Sequence, residues 1–493
     1  MIRRVLRLLA AFALFGALAS CAENPVTGTP DFVLMTEAQE VRLGERADQD
    51  VKKQYSLYDH RPGDHKAGDP KTGTPKVADP GLQAYVNGIG QKLAKTSHRP
   101  GLEYRFTVLD SSEINAFALP GGYIYITRGI MAYLNSEAEL AAVLGHEIGH
   151  VTARHSVRQA SAAQGADLAL SVLSIFTPTL RNSGVQSVVG LFGNALFAGY
   201  GRDMELEADR LGAEYLARSG YDPNAMIRVV GALKNQELFD AEVAKQEGRE
   251  PRAYHGLFAT HPDNDTRLQE VVAAAKKLQT ASGTEGRDEF LARTSGMVFG
   301  DSAREGVLRD GGFYHGELGF AFRPPAGWRL RNLPDRLVMQ PPAGDAQLVL
   351  TSAKKANEQP ADTLRRVTQG RARDIDLTPV AGLPAAVSME GAVIQHRDFS
   401  YVFAPTYKTL EASRRHAEAL RTSIRSFHAL TDEEKVKARA LAMREIKADE
   451  RTRFAELAKA SPLGRNAEGY LRLINGLYPR GEPKPGQMVK VVE

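Results

Sequence analysis

Three residues in one predicted helix have the types and spacing of a catalytic metal site. His146, Glu147 and His150 form a His-Glu-x-x-His pattern, with the two histidines four residues apart. Residues four apart lie on one face of an α-helix, so both imidazoles can bind a single Zn²⁺ ion. Glu147, next to the first histidine, is placed to act as a general base towards water. The pattern therefore predicts metal-assisted hydrolysis.

The pattern is short, and its context strengthens it. Ser136 and Glu139 predict a capping box, and the helix that they open continues past His150 without a proline. Its apolar side chains form a stripe nearly opposite the histidines: Leu140, Leu144, Ile148 and Val151. We expect this helix to be covered on both sides, which disfavours two solvent-exposed histidines. Gly145 and Gly149 each cost up to about 1 kcal/mol in a helix interior, so we expect another element to pack closely against them.

A second predicted helix offers the third protein ligand that a catalytic zinc site needs. On its helical wheel Glu205 and Asp209 share the apolar face, whereas Glu207 points away and is expected to be solvated. Buried carboxylates are costly unless they are paired or bind metal. Glu205 is therefore the predicted ligand, and Asp209 is predicted to accept a hydrogen bond from a ligand imidazole. An ordinary charged amphipathic helix is the alternative.

These five residues together resemble a known family. His146, Glu147 and His150, followed by Glu205 and Asp209, look like the gluzincin metallopeptidases, which include the CAAX prenyl protease, the heat-shock membrane protease and the periplasmic β-barrel assembly-enhancing protease. The resemblance extends over about residues 24 to 275. It implies a mainly α-helical zinc peptidase domain with a small edge-strand sheet and one Zn²⁺ per chain.

Two further segments resemble elements of that family. The run from Asn115 to Gly122 is similar to its edge strand, which implies that Asn115, Ala116 and Phe117 pair with substrate backbone.

The second segment is Thr260-His261-Pro262 with Arg267, which resembles a family element near the zinc and implies that His261 and Arg267 belong to the catalytic set. His261 would either stabilise the oxyanion or occupy the open coordination position as a regulatory fourth ligand. A turn residue before a helix is the alternative for His261. His155 falls off the metal face and is predicted to be structural.

The N-terminus has the layout of a secretory signal. Three arginines precede an apolar run from Leu8 to Ala19 that is too short to stay in a bilayer. Leu18-Ala19-Ser20-Cys21 resembles a bacterial lipobox, so Cys21 is predicted to be lipidated and N-terminal in the mature protein. Residue 22 is Ala and not Asp. By resemblance to the sorting rules of diderm lipoproteins, this favours the outer membrane, with the protein facing the periplasm. An ordinary signal peptide with an incidental cysteine is the alternative.

Composition excludes several classes of function. The chain has 63 basic and 59 acidic residues and a net charge of +4, so no nucleic-acid partner is expected. Hydrophobic residues make up 43% and charged residues 25%, which is typical of globular rather than disordered or polytopic membrane proteins. Cys21 is the only cysteine, which excludes an intramolecular disulfide and a cysteine metal ligand.

At 493 residues the chain is long enough for several domains. We predict a signal peptide (1–20), a tether (21–35), a zinc metallopeptidase domain (36–285), an α+β module of unknown role (296–428), a helical linker (429–443) and a small LysM-like unit (444–493). The module is expected to contain short strands and one helix, near residues 362–369. Residues 59–80 are expected to form an exposed loop.

Two regions keep alternative interpretations. Residues 156–200 are expected to form mobile amphipathic helices or a lid, with a membrane hairpin as the alternative. Residues 473–492 resemble the second half of a LysM glycan-binding module, but Ala448-Asp449-Glu450-Arg451 stands where a Gly-Asp-Thr turn is usual. Binding to peptidoglycan and a packing role both stay open.

Together these features predict a zinc-dependent endopeptidase of the bacterial envelope. Its expected substrates are misfolded or stalled outer-membrane or periplasmic proteins. A peptidoglycan peptide hydrolase and an assembly chaperone with little proteolysis are the alternatives.

Overall fold

The computed structural model describes residues 21–33, 35–58, 80–166, 200–247, 267, 270, 283–333 and 336–493. The predicted signal peptide, almost all of the predicted 59–80 loop and most of the predicted lid lie outside them. The chain divides into two compact units, one of Met1–Phe299 with Ala442–Glu493 (unit 1) and one of Gly300–Leu441 (unit 2). Within the ranges just given, no helix combines the length and apolarity needed to cross a membrane. The domain boundaries given above stay predictions.

Helices predominate in the first part of the chain. In chain order the α-helices are α1 (Glu37–Gln54), α2 (Pro80–Ala94), α3 (Arg128–Met131), α4 (Glu137–Thr152), α5 (His155–Ala166), α6 (Arg202–Arg218), α7 (Asn224–Glu247), α8 (Arg287–Thr294), α9 (Pro360–Val367), α10 (Leu410–Arg425), α11 (Asp432–Lys437), α12 (Phe454–Ala460) and α13 (Ala467–Ile474).

Strands predominate further along the chain. In chain order they are β1 (Cys21–Glu23), β2 (Pro30–Phe32), β3 (Arg105–Leu109), β4 (Ala116–Leu119), β5 (Tyr123–Thr127), β6 (Val298–Phe299), β7 (Val307–Arg309), β8 (Gly312–His315), β9 (Phe320–Phe322), β10 (Arg329–Leu333), β11 (Arg336–Gln340), β12 (Ala346–Lys354), β13 (Ala385–Ser388), β14 (Gly391–His396), β15 (Phe399–Tyr407), β16 (His428–Ala429), β17 (Leu441–Lys447) and β18 (Met488–Val492).

Helix α4 forms the centre of unit 1. The Ser136 hydroxyl caps it by accepting a hydrogen bond from the Glu139 backbone N–H at 3.2 Å. The predicted capping box is wrong in its second half, because the Glu139 carboxylate accepts from the Asn135 N–H at 2.7 Å and from Arg228 at 3.1 Å. Every residue of α4 after its first is buried, so the expectation of a helix covered on both sides is confirmed.

Close packing of α4 against α6 explains the two glycines in α4. A Cβ atom at Gly149 would lie 2.9 Å from the backbone oxygen of Ala208, and one at Gly145 would lie 3.3 Å from that of Gly212. Both approaches are tighter than ordinary carbon–oxygen contact, so a side chain would push the helices apart. The predicted close packing is confirmed, and its partner is α6.

A three-stranded sheet lies beside α4. Its strand order is β3-β5-β4, with β3 parallel and β4 antiparallel to β5. Strand β4 therefore has one neighbouring strand among the described residues and forms an edge of the sheet. Helix α4 packs against β4, which brings the edge strand next to the histidine helix.

The residues after β17 return to unit 1. Strands β17 and β18 pair antiparallel, α12 and α13 lie between them in the chain, and β6 pairs with the other side of β17. The buried Lys490 of β18 donates hydrogen bonds to the carbonyls of Ala132 and Leu134, both at 2.7 Å. This attaches the last strand to the segment that leads into α4. The LysM-like character of these residues stays a prediction.

Unit 2 is built on antiparallel sheets. A six-stranded sheet has the order β10-β11-β12-β15-β14-β13, and a four-stranded sheet has the order β16-β9-β8-β7. Its core includes stacked aromatic rings, with the Phe320 and Phe427 centroids 4.8 Å apart. The predicted strand-rich character is confirmed, but the expectation of one helix is wrong. Helix α10 is a second one, and the buried Leu420 and Ile424 on one of its faces join this core.

Candidate metal centre

The three predicted metal ligands meet at one point inside unit 1. The Nε2 atoms of His146 and His150 are 2.9 Å apart. Oε2 of Glu205 lies 3.5 Å from Nε2 of His146, and its Oε1 lies 3.4 Å from Nε2 of His150. One ligand atom from each residue falls within 4.8 Å of the others, and all three side chains are buried.

The donor set fits a metal ion. Two imidazole nitrogens and one carboxylate oxygen are ligands that suit zinc, and three protein ligands leave a position open for a reactant. Glu205 is completely inaccessible to solvent, and a buried carboxylate costs free energy unless a cation compensates it. His146, His150 and Glu205 therefore form a buried group suited to a metal ion.

The other nitrogen of His146 faces a carboxylate. Nδ1 of His146 lies 2.8 Å from Oδ1 of Asp209, so the ring can donate its proton there and direct Nε2 at the metal position. Arg267 donates to both oxygens of Asp209 at 2.7 Å, and its third nitrogen lies 3.2 Å from Glu205. Arg267 was predicted to be catalytic. In the structure its guanidinium contacts Asp209, which lies behind His146, and the ligand candidate Glu205; its catalytic role stays a prediction.

The other nitrogen of His150 faces a second imidazole. Nδ1 of His155 lies 2.8 Å from Nδ1 of His150, and Nε2 of His155 lies 3.1 Å from Glu207. Arg158 donates to the same Glu207 oxygen at 2.9 Å. Glu207, predicted to be solvated, keeps 18% of its side chain exposed, because His155 and Arg158 of α5 cover part of a carboxylate that the wheel of α6 alone assigns to solvent.

Tyr200 covers the face of the His150 ring. The two rings are nearly parallel, at 22°, with centroids 4.1 Å apart, and the Tyr200 hydroxyl is 2.7 Å from that of Ser156. Sequence reasoning missed Tyr200, and no motif marks it. It missed the contact of His155 as well, although His155 and Arg158 have the spacing of one helix face.

Burial and charge set the two imidazoles apart. Burial lowers the pKa of His146, but Asp209 and Glu205 outweigh it and raise that pKa to about 9. Burial lowers the pKa of His150 well below its ordinary value. Without metal, His146 at neutral pH therefore carries the extra proton of an imidazolium, and His150 is a neutral imidazole. A metal ion must displace that proton, because only neutral imidazole binds metal.

The remaining predicted site residues fall around this centre. Glu147 is buried in α4 beside the first ligand. A small cavity of about 10 Å³ is lined by His150 and, at the end of β4, by Ala118, Leu119 and Pro120.

The predicted edge residues lie at the start of β4. The backbone N–H and carbonyl of Asn115 bond to Thr127, Ala116 is buried, and Phe117 stacks on Tyr125 with centroids 4.9 Å apart. His261 lies outside the described residues. Cys21 begins β1, and its lipidation stays a prediction.

The part of the chain that carries this centre matches known proteins. Residues 80–275 match the model of peptidase family M48. The chain is 28% identical over 242 residues to the β-barrel assembly-enhancing protease of Escherichia coli (strain K12), and the matched segment covers 47% of each chain. It is 31% identical over 222 residues to the Yersinia pestis protein of that name, which covers 44% of this chain and 43% of the relative.

The match to a mitochondrial relative covers less of the chain. The chain is 37% identical over 198 residues to the mitochondrial metalloendopeptidase OMA1 of Arabidopsis thaliana, covering 38% of this chain and 35% of that one. The chain thus spans less than half the length of each of these relatives.

Proposed function

We propose that this protein is a zinc-dependent endopeptidase of the bacterial envelope, since residues 80–275 match the model of peptidase family M48 and hold a buried group suited to a metal ion. The observation that carries the proposal is the buried convergence of His146, His150 and Glu205 beside an edge strand. Its substrates would be misfolded or stalled outer-membrane or periplasmic proteins. The names of the bacterial relatives support an envelope role, and the match to them covers about half of each.

The chain's own residues divide the chemistry of peptide hydrolysis among them. A single zinc ion, held by His146, His150 and Glu205, would supply Lewis-acid activation of water and of the scissile carbonyl. Glu147 accepts a proton from the attacking water and passes it to the departing amine. Asp209 keeps His146 in the tautomer whose Nε2 is free to bind. The edge of β4 that has no neighbouring strand among the described residues would hold the substrate backbone extended through main-chain hydrogen bonds, which favours unfolded segments.

Localisation forms part of the same proposal. A lipid at Cys21 would hold the protein at the periplasmic face of the outer membrane. Strands β1 and β2 form an antiparallel hairpin that begins at that cysteine, and so unit 1 begins close to the proposed anchor in sequence. The segment from β17 to β18 would be the point of contact if peptidoglycan is a partner.

The test is the Glu147→Gln variant of the full chain. It removes the base but keeps the shape of the side chain, so zinc binding measured by atomic emission should match the wild type. Cleavage of unfolded casein should fall by at least about a hundredfold, within the range that general-base catalysis contributes.

Three other outcomes would contradict the proposal. Retained casein cleavage by E147Q would exclude Glu147 as the base. Release of muropeptides from sacculi without casein cleavage would identify a peptidoglycan hydrolase. Full complementation of a deletion strain by E147Q would identify a chaperone.

A further inference from the structure

His150 has a support that differs in kind from that of the other histidine ligand. Behind His150, a second buried imidazole and then a carboxylate continue the line of contacts: His155 at 2.8 Å and Glu207 at 3.1 Å beyond it. His155 is completely buried, so its ring nitrogens have no access to solvent. Both of its nitrogens are instead used in this line.

One assignment of the ring protons gives each nitrogen along this line a single role, as metal ligand, hydrogen-bond donor or hydrogen-bond acceptor. A metal at Nε2 of His150 requires the proton of that ring on Nδ1, which then donates to Nδ1 of His155. The proton of His155 is consequently on Nε2, from which it donates to Glu207. Both imidazoles are neutral in this arrangement, and the carboxylate accepts at its end.

We propose that His155 and Glu207 are positioning residues of the metal centre, which hold His150 in the ring orientation and tautomer that direct Nε2 at the ion. The inference rests on the proposed function, since it assumes a metal at His150. A carboxylate behind a ligand histidine raises its basicity and fixes its tautomer, and here an intervening imidazole transmits that effect.

The outer end of this line is fixed by further charges. Arg158 donates to Glu207 at 2.9 Å, and its Nε lies 3.4 Å from Asp31 in β2. Asp31 in turn accepts a hydrogen bond from Asn24 at 2.7 Å. Glu207 is thus held from the far side by a residue that also contacts the N-terminal hairpin, which restrains the carboxylate before any metal binds.

The experiment compares zinc affinity in the full chain, measured by competition with a chromophoric chelator. Glu207→Gln should weaken zinc binding about tenfold, and His155→Ala by about tenfold to a hundredfold. His155→Gln should recover most of the loss, because its amide oxygen and nitrogen can replace the two ring nitrogens as acceptor and donor. The matched control is Glu214→Gln, which lies two turns further along the same face of α6 and pairs with Arg218.

The readouts separate a positioning role from a structural one. The unfolding temperature of the metal-free E207Q protein should match that of E214Q, while its zinc-induced rise in unfolding temperature should be smaller. With saturating zinc, E207Q should recover kcat and KM for an unfolded substrate close to those of E214Q.

Two kinds of failure are distinguishable. A wild type that neither binds zinc nor cleaves peptide overturns the proposed function and this inference with it. A wild type that does both, with E207Q and H155A binding zinc as tightly as E214Q, overturns the inference alone. A lower unfolding temperature of metal-free E207Q at unchanged zinc affinity also overturns it.

Discussion

The two histidines of the candidate metal centre both direct Nε2 at the metal position, but different groups face their Nδ1 atoms. His146 donates directly to Asp209, whose charge is balanced by the buried Arg267. Nδ1 of His150 instead faces the imidazole of His155 at 2.8 Å, and the charged pair behind it, Glu207 with Arg158, is partly exposed. We call these the direct arm and the extended arm. The direct arm places full charges in the interior, whereas the extended arm moves the carboxylate outward by the width of one ring.

The difference implies unequal sensitivity to mutation. Breaking a buried charge pair leaves the partner uncompensated in a low-dielectric interior, which destabilises the fold. Removing the partly exposed carboxylate of Glu207 leaves its charged partner, Arg158, in contact with water, so the fold is affected little. The direct arm should therefore couple metal binding to stability, and the extended arm should affect metal binding almost alone.

The largest effect is expected in the direct arm. Asp209→Asn removes the anion that Arg267 contacts through two hydrogen bonds, and we expect the free energy of unfolding to fall by about 3–5 kcal/mol. Urea unfolding of the metal-free protein measures it, with Glu207→Gln as the control that should change less than about 1 kcal/mol. Equal losses in the two variants would remove the distinction between the arms.

A change that affects both arms together should come next. Gly149→Ala places a Cβ 2.9 Å from the Ala208 oxygen and pushes α6 away from α4, with an expected loss of about 1–3 kcal/mol. Because α6 carries Glu205 and the carboxylates of both arms, zinc affinity should fall as well. Gly231→Ala in α7 is the matched control, since nothing lies within 4 Å of its added carbon and the helix should gain up to about 1 kcal/mol. A stabilising Gly149→Ala would show that the helices separate without cost.

The smallest effect is expected at the outer end of the extended arm. Asp31→Asn weakens a partly exposed ion pair with Arg158 at 3.4 Å, and should cost less than about 1 kcal/mol. Zinc affinity should stay within about twofold of the wild type, measured by the same chelator competition. A tenfold loss of zinc affinity would mean that the N-terminal hairpin contributes to metal binding through Asp31.

The direct arm could largely be predicted from the sequence, and the extended arm could not. The wheel of α6 separates Glu205 from Glu207 because one helix face is apolar, and that local pattern survives folding. His155 follows the ligand helix by a turn in the chain, and nothing in its spacing shows that α5 points it back at His150. Such contacts depend on how two helices meet, which the periodicity of either helix leaves undetermined.

Other differences have the same origin. The predicted capping box lacks its second half because Glu139 also accepts from Arg228, a residue distant in sequence. Helix α10 was not predicted, although Thr409 caps it by accepting from the N–H of Ala412 at 3.1 Å. The amphipathic pattern of this segment is typical of a helix, but the segments around it have strand-like composition, and the prediction followed those.

Unit 1 is discontinuous in sequence, and this has a consequence for the order in which the protein is made. Synthesis proceeds from the N-terminus. The hydrogen bond from Lys490 to the segment that leads into α4 can therefore form only after the residues of unit 2 have been synthesised. Unit 1 therefore reaches this set of contacts only after residues 300–441 and strand β18 have been synthesised. Strands β6 and β17, which flank unit 2 in the chain, are paired neighbours, so the late segment has a prepared strand edge to join.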